Sequence, residues 1–228
     1  MLSWISPIIS VLDSLLTFFF RLSHDWGAAI ILLTLMVRSI LFVFNLRMAR
    51  QQVKQASVQP KLKQLREQFS GDMSRLSQET LKLYNQYGIK PFAMFTAGLL
   101  QMPVFMGMYG LFKSHGAAMS SLLLPWVSNL GQYDPWHIIP IVCSIFSFIS
   151  YLVPLTNELI AMQSFNQRIG MSLLFAGIFL VVMWKSPVAL ALYWTTNSVF
   201  AILERIFYRT KLGRAMLLRG NHMEPSAA

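Results

Sequence analysis

The stretch of sequence that decides the fold is WGAAIILLTLMVRSILFVFNL, residues 26–46. Arg38 is the one charged side chain in this stretch, and most of the other residues are apolar. A helix that crosses the core of a bilayer takes about 20 apolar residues. We therefore expect residues 26–46 to form a transmembrane helix that carries a positive charge near its middle.

The whole chain has the same apolar character. Its 228 residues are 55% hydrophobic and 12% charged, and 19 Lys and Arg against 9 Asp and Glu give a net charge of +10. Soluble domains carry about 25% charged residues, so the composition argues against a soluble globular protein and against disorder. In a chain of such apolar composition, an excess of basic residues indicates a membrane rather than a nucleic acid as the partner. DNA is therefore not an expected partner.

Four further segments approach the length of a membrane span, at residues 92–112, 136–156, 169–184 and 188–208. The segment 169–184 is short, which predicts a locally thinned bilayer or support from neighbouring helices. Together with residues 26–46, these segments predict an all-α, polytopic membrane protein with five transmembrane helices.

Basic residues are distributed unevenly over the predicted loops. Fifteen of the 19 Lys and Arg fall on one side, nine in residues 47–91, five in residues 205–228, and Arg168. The opposite side carries three, which are Arg21, Lys113 and Lys185. Because cytoplasmic loops carry the excess of Lys and Arg, we expect the N-terminus outside and the C-terminus in the cytosol.

Residues 1–25 predict an amphipathic helix at the outer membrane interface. From Pro7 to Leu22 the polar side chains form one narrow stripe on a helix, made of Ser10, Asp13, Ser14, Thr17 and Arg21. The remaining positions are mostly Ile, Val, Leu and Phe, as in helices that lie in the interface plane. A sixth membrane span is the alternative.

Residues 47–91 predict a cytosolic helical hairpin. Apolar or small side chains recur at helical spacing on both sides of a turn at residues 70–72, namely Leu62, Leu65, Phe69, Met73, Leu76, Thr80, Leu83 and Tyr87. Two short heptad-like helices joined by a tight turn pack antiparallel. The basic outer face is either solvated or suited to anionic lipid, ribosomal RNA or a nascent chain. Residues 209–228 predict a basic cytosolic tail, disordered at its end.

The sequence lacks the motifs of an enzyme. It has one cysteine, Cys143, and four scattered histidines, without HExxH, GxSxG or a phosphate-binding glycine loop. Carboxylates are nearly absent from the predicted spans, which disfavours a proton-coupled transporter. We therefore expect no catalytic residue, no metal and no cofactor.

Arg38 is the residue on which a function can be argued. An Arg at the centre of a span costs about 2.5–3.5 kcal/mol on insertion scales, and no carboxylate in the other spans is an obvious partner. We expect the guanidinium to face water within the membrane, although carbonyls and hydroxyls of a packed bundle would also satisfy it. The polar residues expected to line the same hydrated groove are Gln101, Ser147, Thr195 and Asn197; helix packing is the alternative role for each.

Three motifs in the same order resemble a known family. They are the first span from Trp26-Gly27 to Arg38, residues 84–105 with YNQYGI, Pro91 and QMPVF, and residues 186–197 with SP and LALYWTTN. Over residues 5–210 the chain resembles the YidC/oxidase-assembly/Albino family of membrane protein insertases. Lys90 departs from the family pattern, in which Asn often precedes the proline.

The resemblance implies a groove open to the cytosol and the lipid but closed on the outer side. It implies that Arg38 lies in this groove, with Gln101 and Trp194 near it. The implied partners are nascent membrane proteins and the lipid bilayer, together with the ribosome and the Sec translocon. The implied location is the bacterial cell membrane. The large outer domain of Gram-negative relatives is not in this sequence, which favours a Gram-positive-type bacterial member.

The function implied is the insertion and folding of nascent membrane proteins through the groove, alone or with the Sec translocon. The alternative is an assembly scaffold or chaperone that holds membrane subunits together without inserting them.

Overall fold

The structure, a computed structural model, describes residues 6–90, 93–155 and 164–219. All regular elements in these ranges are helical, so the all-α prediction is confirmed for them. The helices are α1 Ser6–Ser23, α2 Trp26–Ser57, α3 Gln59–Gln68, α4 Met73–Gln86, α5 Ala93–His115, a 3₁₀ turn Gly116–Ala118, α6 Ile138–Leu152, α7 Phe165–Trp184, α8 Val188–Arg209 and α9 Lys211–Leu218.

Helix α2 runs well beyond the predicted end of the first span. It has 32 residues, or about 48 Å at about 1.5 Å per residue. Its second half is rich in Arg, Gln, Lys and Ala, which are good helix formers, and no proline occurs between Pro7 and Pro60. The apolar run thus ends near residue 46, but the helix continues to Ser57. The predicted border between the first span and the hairpin, at residues 46 and 47, therefore lies inside α2.

Helices α6 and α7 differ in length in the opposite way to the prediction, in which residues 136–156 form a full span and residues 169–184 a short one. Helices α2 and α7 are long and apolar enough to cross a membrane, whereas α6 is apolar but has 15 residues. Helix α7 has 20 residues because it begins at Phe165, ahead of the predicted start at residue 169. The four added residues include Asn166, Gln167 and Arg168, so the helix is longer than its apolar run, and the bilayer thinning expected at residues 169–184 stays a prediction. The predicted third span ends at residue 156, outside the described residues.

The chain divides into two compact units. The first takes its described residues from the ranges 1–42, 99–153 and 165–204, and the second from the ranges 43–98, 154–164 and 205–228. The core of the first unit is a large apolar cluster whose most deeply buried members include Leu16, Ile30, Leu33, Leu111, Phe112, Leu130 and Cys143.

Within the first unit, α1 packs against α5. Leu12 lies against Gly107 so closely that a Cβ at this glycine would be 2.8 Å from the leucine side chain, and Gly110 is similarly close to Ile9. The apolar side chains of α1 that remain exposed are Val11, Phe18 and Leu22. They form a second stripe beside the polar one, because positions 11, 18 and 22 lie within one narrow sector of a helix.

A buried carboxylate ties the start of α2 to the segment that follows α5. Asp25 accepts hydrogen bonds from the Ala28 backbone at 2.8 Å, the Ser121 hydroxyl at 2.8 Å and the Leu122 backbone at 2.5 Å. Burial alone would raise the pKa of Asp25, but the hydrogen bonds outweigh it and hold this pKa below its usual range. Asp25 thereby caps α2 and fixes the loop at Ser121.

A second carboxylate orders the approach to α6. Asp134 accepts hydrogen bonds from the Trp126 indole at 3.0 Å, the Trp136 backbone at 3.0 Å and the Ile139 backbone at 2.8 Å. Neither set of contacts was predicted from the sequence, and two of the partners of Asp25, Ser121 and Leu122, lie nearly a hundred residues along the chain.

In the second unit, α3 and α4 pack against each other around Val58, Leu62, Leu83 and Ile89. Asp72 caps α4 by accepting a hydrogen bond from the Arg75 backbone at 3.0 Å. Most of the predicted inward positions are buried or half-buried, but Met73 is 75% exposed. It stands at the first turn of α4, where α3 no longer covers it.

The predicted basic tail begins with a short helix, α9. Thr210 caps it by accepting a hydrogen bond from the Gly213 backbone at 3.1 Å, and Leu217 is buried. Arg50 donates to the Met216 carbonyl at 2.7 Å, which satisfies an acceptor in the last turn of the helix. Helix α9 therefore depends on contacts made within the second unit. The residues predicted to be disordered, 224–228, lie outside the described ranges.

Candidate functional site

The site is built around Arg38, which lies half-buried within the apolar part of α2. Its Nε donates a hydrogen bond to Oδ1 of Asn197 on α8, at 2.5 Å. Thr34, one turn earlier on α2, is buried and satisfies its own hydroxyl with the Ile30 carbonyl at 2.7 Å. The hydrogen bond recorded for the guanidinium thus goes to a neutral amide of another helix.

A second hydrogen bond extends the site to α5. Nε2 of Gln101 donates to the hydroxyl of Tyr193 at 2.6 Å. Tyr193 is buried and precedes Asn197 by one helical turn, so both side chains emerge from the same face of α8. We call these four residues, Arg38, Gln101, Tyr193 and Asn197, the polar cluster. It joins α2, α5 and α8 within the first unit.

Charge in the polar cluster is positive. Glu204 on α8, two turns beyond Asn197 and on the same face, attracts Arg38 electrostatically. The sequence offered no obvious partner for Arg38; the structure supplies Asn197 by direct contact and Glu204 by Coulombic attraction. The arrangement provides hydrogen-bond donors and a positive charge in an apolar setting, and it contains no nucleophile paired with a base.

Three of the predicted site residues join the polar cluster, namely Arg38, Gln101 and Asn197. The other three make different contacts. Ser147 lies 3.3 Å from the Ser198 hydroxyl, and the Thr195 hydroxyl donates to the Ala191 carbonyl of its own helix at 2.8 Å.

Trp194, which the family resemblance placed near the groove, lies in an aromatic cluster. Its ring centroid is 4.6 Å from that of Phe179 and 5.7 Å from that of Phe105. Successive residues of an α-helix are rotated by about 100°, so Thr195, two residues before Asn197, lies on a different face, whereas Trp194, three residues before it, lies at the edge of the same face. The polar run in the sequence therefore divides among several faces of α8.

Tyr193 is the cluster member that the sequence reasoning missed. Tyr193 belongs to the LALYWTTN motif, but it was not among the residues predicted to line the groove. The signal that would have found it is its spacing of four residues before Asn197, which puts both polar groups on one face.

Comparison with known proteins places the chain in a family. Residues 18–214 match the family described as 60Kd inner membrane protein, and the chain belongs to this family. The chain is 34% identical over 211 residues to the membrane protein insertase YidC of Marinobacter nauticus, covering 92% of this chain and 36% of that protein. It is 32% identical over 207 residues to the YidC of Histophilus somni, covering 90% of this chain and 37% of that protein.

A solved structure shows the same fold. A crystal structure of an active YidC insertase, with its first transmembrane domain resolved, superposes with a TM-score of 0.66 at 20% identity, covering 88% of this chain and 46% of that chain. The family resemblance read from the three motifs is thus confirmed. The chain spans little more than a third of the length of the curated relatives that it matches.

Proposed function

We propose that this protein inserts nascent membrane proteins into the bilayer and helps them to fold, acting alone or with the Sec translocon. The observation that carries the proposal is the guanidinium of Arg38, kept inside an apolar helix of span length and bonded there to the neutral Asn197. A buried charge in a membrane helix is costly and is by default a functional site. The names of the relatives point to the same activity.

The proposed mechanism requires no chemical step, nucleotide or metal. A nascent chain brings an apolar segment and a short hydrophilic tail. Arg38 attracts an acidic tail and lowers the cost of bringing its charge partway into the bilayer. Transfer of the apolar segment into lipid supplies the driving force, at about 25 cal/mol per Å² of apolar surface.

The proposed membrane arrangement has five spans, α2 and α5 to α8, in a bacterial cell membrane. Helices α5 and α8 have 23 and 22 residues, which suits a span. The exposed apolar side chains of α7, such as Leu173, Ile178 and Val181, suit contact with acyl chains. The uneven basic residues favour an N-terminus outside and a C-terminus in the cytosol. Helix α1, with exposed Val11 and Phe18, suits the outer interface.

The test uses the purified protein in liposomes, with a single-span substrate that carries an acidic tail. Arg38→Ala is expected to abolish most insertion, and Arg38→Lys to retain part of it because the charge is kept while the planar fork of donors is lost. Lys113→Ala, which removes an exposed basic residue at the end of α5, is the matched control and should insert normally. Full insertion by both Arg38 variants would refute the proposal.

Insertion and scaffolding are separated by crosslinking. A photoreactive residue in place of Trp194, which lies beside the polar cluster in sequence, should capture ribosome-bound nascent chains if the protein inserts them. Capture of mature subunits alone would identify a scaffold.

A further inference from the structure

We propose that Asn197 is the positioning residue of the site, which holds the Arg38 side chain in place without neutralising its charge. The inference rests on the proposed function and adds a specific requirement to it, namely that the side chain at position 197 be both a hydrogen-bond acceptor and uncharged.

The geometry of the contact supports a positioning role. Oδ1 of Asn197 accepts from Nε of Arg38 at 2.5 Å, and Nε is one of five N–H groups on a planar guanidinium. Fixing Nε sets the plane of the group and leaves its two terminal nitrogens outside this bond. Asn197 is itself 5% exposed, so the packing of α8 fixes the acceptor before any substrate arrives.

The asparagine at position 197 can be compared with aspartate, the residue closest to it in shape. Aspartate has nearly the same shape as asparagine and would accept the same hydrogen bond more strongly, because ionised partners make stronger bonds. It would also form an ion pair with Arg38 and cancel the positive charge. A site designed only for a stable bundle would gain from that carboxylate, whereas a site that attracts an acidic tail needs the amide.

The nitrogen of the Asn197 amide, Nδ2, also bears on the proposed positioning role. Nδ2 of Asn197 is buried and makes no hydrogen bond of good geometry in the part of the chain that the structure describes, although the Asn197 side chain lies close enough to the Tyr193 hydroxyl to interact with it. A buried donor without an acceptor is costly, and it lies on the same amide that contacts Arg38. Because this nitrogen is buried, the amide acts on its neighbours within the cluster, and the donors that an incoming chain could reach are those of the half-buried Arg38 guanidinium.

The remaining members of the polar cluster do not share this role. Gln101 uses its amide nitrogen on the Tyr193 hydroxyl. Asn197 is thus the residue whose replacement changes the environment of Arg38 most directly.

The experiment compares Asn197→Asp with wild type, Arg38→Ala and a matched control in liposomes. The control is Thr196→Val, because Thr196 is equally buried and donates to the Leu192 carbonyl of its own helix at 2.9 Å. Each protein is assayed with a single-span substrate whose tail carries Asp residues and with the same substrate carrying Asn instead. Unfolding of each variant is followed in parallel by SDS titration in mixed micelles.

The proposal predicts that Asn197→Asp lowers insertion of the acidic-tail substrate by about tenfold, since the introduced carboxylate would neutralise Arg38 and repel the like charges of the tail. The neutral-tail substrate should be inserted nearly as well as by wild type, and resistance to SDS should be equal or higher. Thr196→Val should insert both substrates normally.

Three results would overturn the proposal, and they have different meanings. Normal insertion of the acidic-tail substrate by Asn197→Asp, with Arg38→Ala inactive, refutes the role of Asn197 and leaves the proposed function standing. An equal loss of both substrates with lowered resistance to SDS would show that Asn197 is needed for folding only. Normal insertion by Arg38→Ala refutes the proposed function itself.

Discussion

Two charged residues of the first unit, Asp25 and Arg38, sit at opposite ends of the same stretch of α2, about 20 Å apart at about 1.5 Å per residue. Asp25 accepts three hydrogen bonds, from Ala28, Ser121 and Leu122. Arg38 has five N–H groups and, among the residues that the structure describes, donates one of them, from Nε, to Asn197. Asp25 is buried and Arg38 is half-buried, and the carboxylate is bonded to more of its surroundings than the guanidinium.

The difference separates two uses of a buried charge. A carboxylate with several donors is stabilised in its ionised form, and it fixes the loop that supplies those donors. A guanidinium held at one atom keeps its charge and most of its donors for another partner. We therefore assign Asp25 to the stability of the fold and Arg38 to the function, and each prediction below tests one side of that assignment.

The largest effect on stability is expected from Asp25→Ala. Three donors lose their acceptor, and the free energy of unfolding should fall by about 3–5 kcal/mol, measured by SDS titration in mixed micelles. Asp13→Ala removes an exposed carboxylate of α1, 3.7 Å from His115, and should change stability by less than about 1 kcal/mol. Equal effects of the two changes would remove the distinction between Asp25 and an ordinary surface carboxylate.

Gly27→Ala should have the next largest effect on the free energy of unfolding. It should lower this free energy, whereas a change from Gly to Ala within a helix usually raises it. Replacing Gly by Ala within a helix normally stabilises it by about 1 kcal/mol. At Gly27 the new Cβ would lie 2.3 Å from the Ser121 hydroxyl and 3.1 Å from Oδ1 of Asp25, so we expect destabilisation by about 2 kcal/mol. Gly177→Ala on α7, where nothing lies within 4 Å, is the matched control and should be neutral or stabilising.

The pH dependence of Asp25 should give the smallest effect. Its pKa in the folded protein is lower than the value of 3.8 typical of an unfolded chain. The ionised form therefore stabilises the fold fully above pH 3.8, and this contribution is lost as the pH falls through the lower, folded pKa. The difference in stability between wild type and Asp25→Asn should be constant from neutral pH down to about pH 5 and shrink below pH 4. A difference that changes between pH 5 and 7 would contradict the assignment.

The sequence predicted those parts of the structure that depend on local pattern. Residues 26–46 indicated a long apolar helix, and the spacing of Leu62 and Leu83 placed two helices on either side of a turn. Helix α9 was missed because eight residues that include a glycine and two charged side chains form a helix only when Arg50 and the packing of Leu217 support it. The contacts of Asp25 join residues nearly a hundred positions apart, which no local pattern records.

The candidate site was predictable only as far as the local sequence pattern reveals it. Arg38, Gln101 and Asn197 stand out as polar residues in apolar segments, so they could be grouped before their contacts were known. The rotation of α8 decided which of its polar residues meet Arg38, and it separated Thr195 from Asn197. Tyr193 was overlooked because its hydroxyl is a small part of a mostly apolar side chain.

The most direct test of the central claim is a paired measurement on Arg38→Ala, reconstituted as the sole protein in liposomes. Insertion of an acidic-tail substrate and resistance to SDS are measured on the same preparation. We predict that insertion falls to near the level of protein-free liposomes, while the free energy of unfolding stays within about 1–2 kcal/mol of wild type. Undiminished insertion by this variant would contradict the claim that Arg38 carries the function.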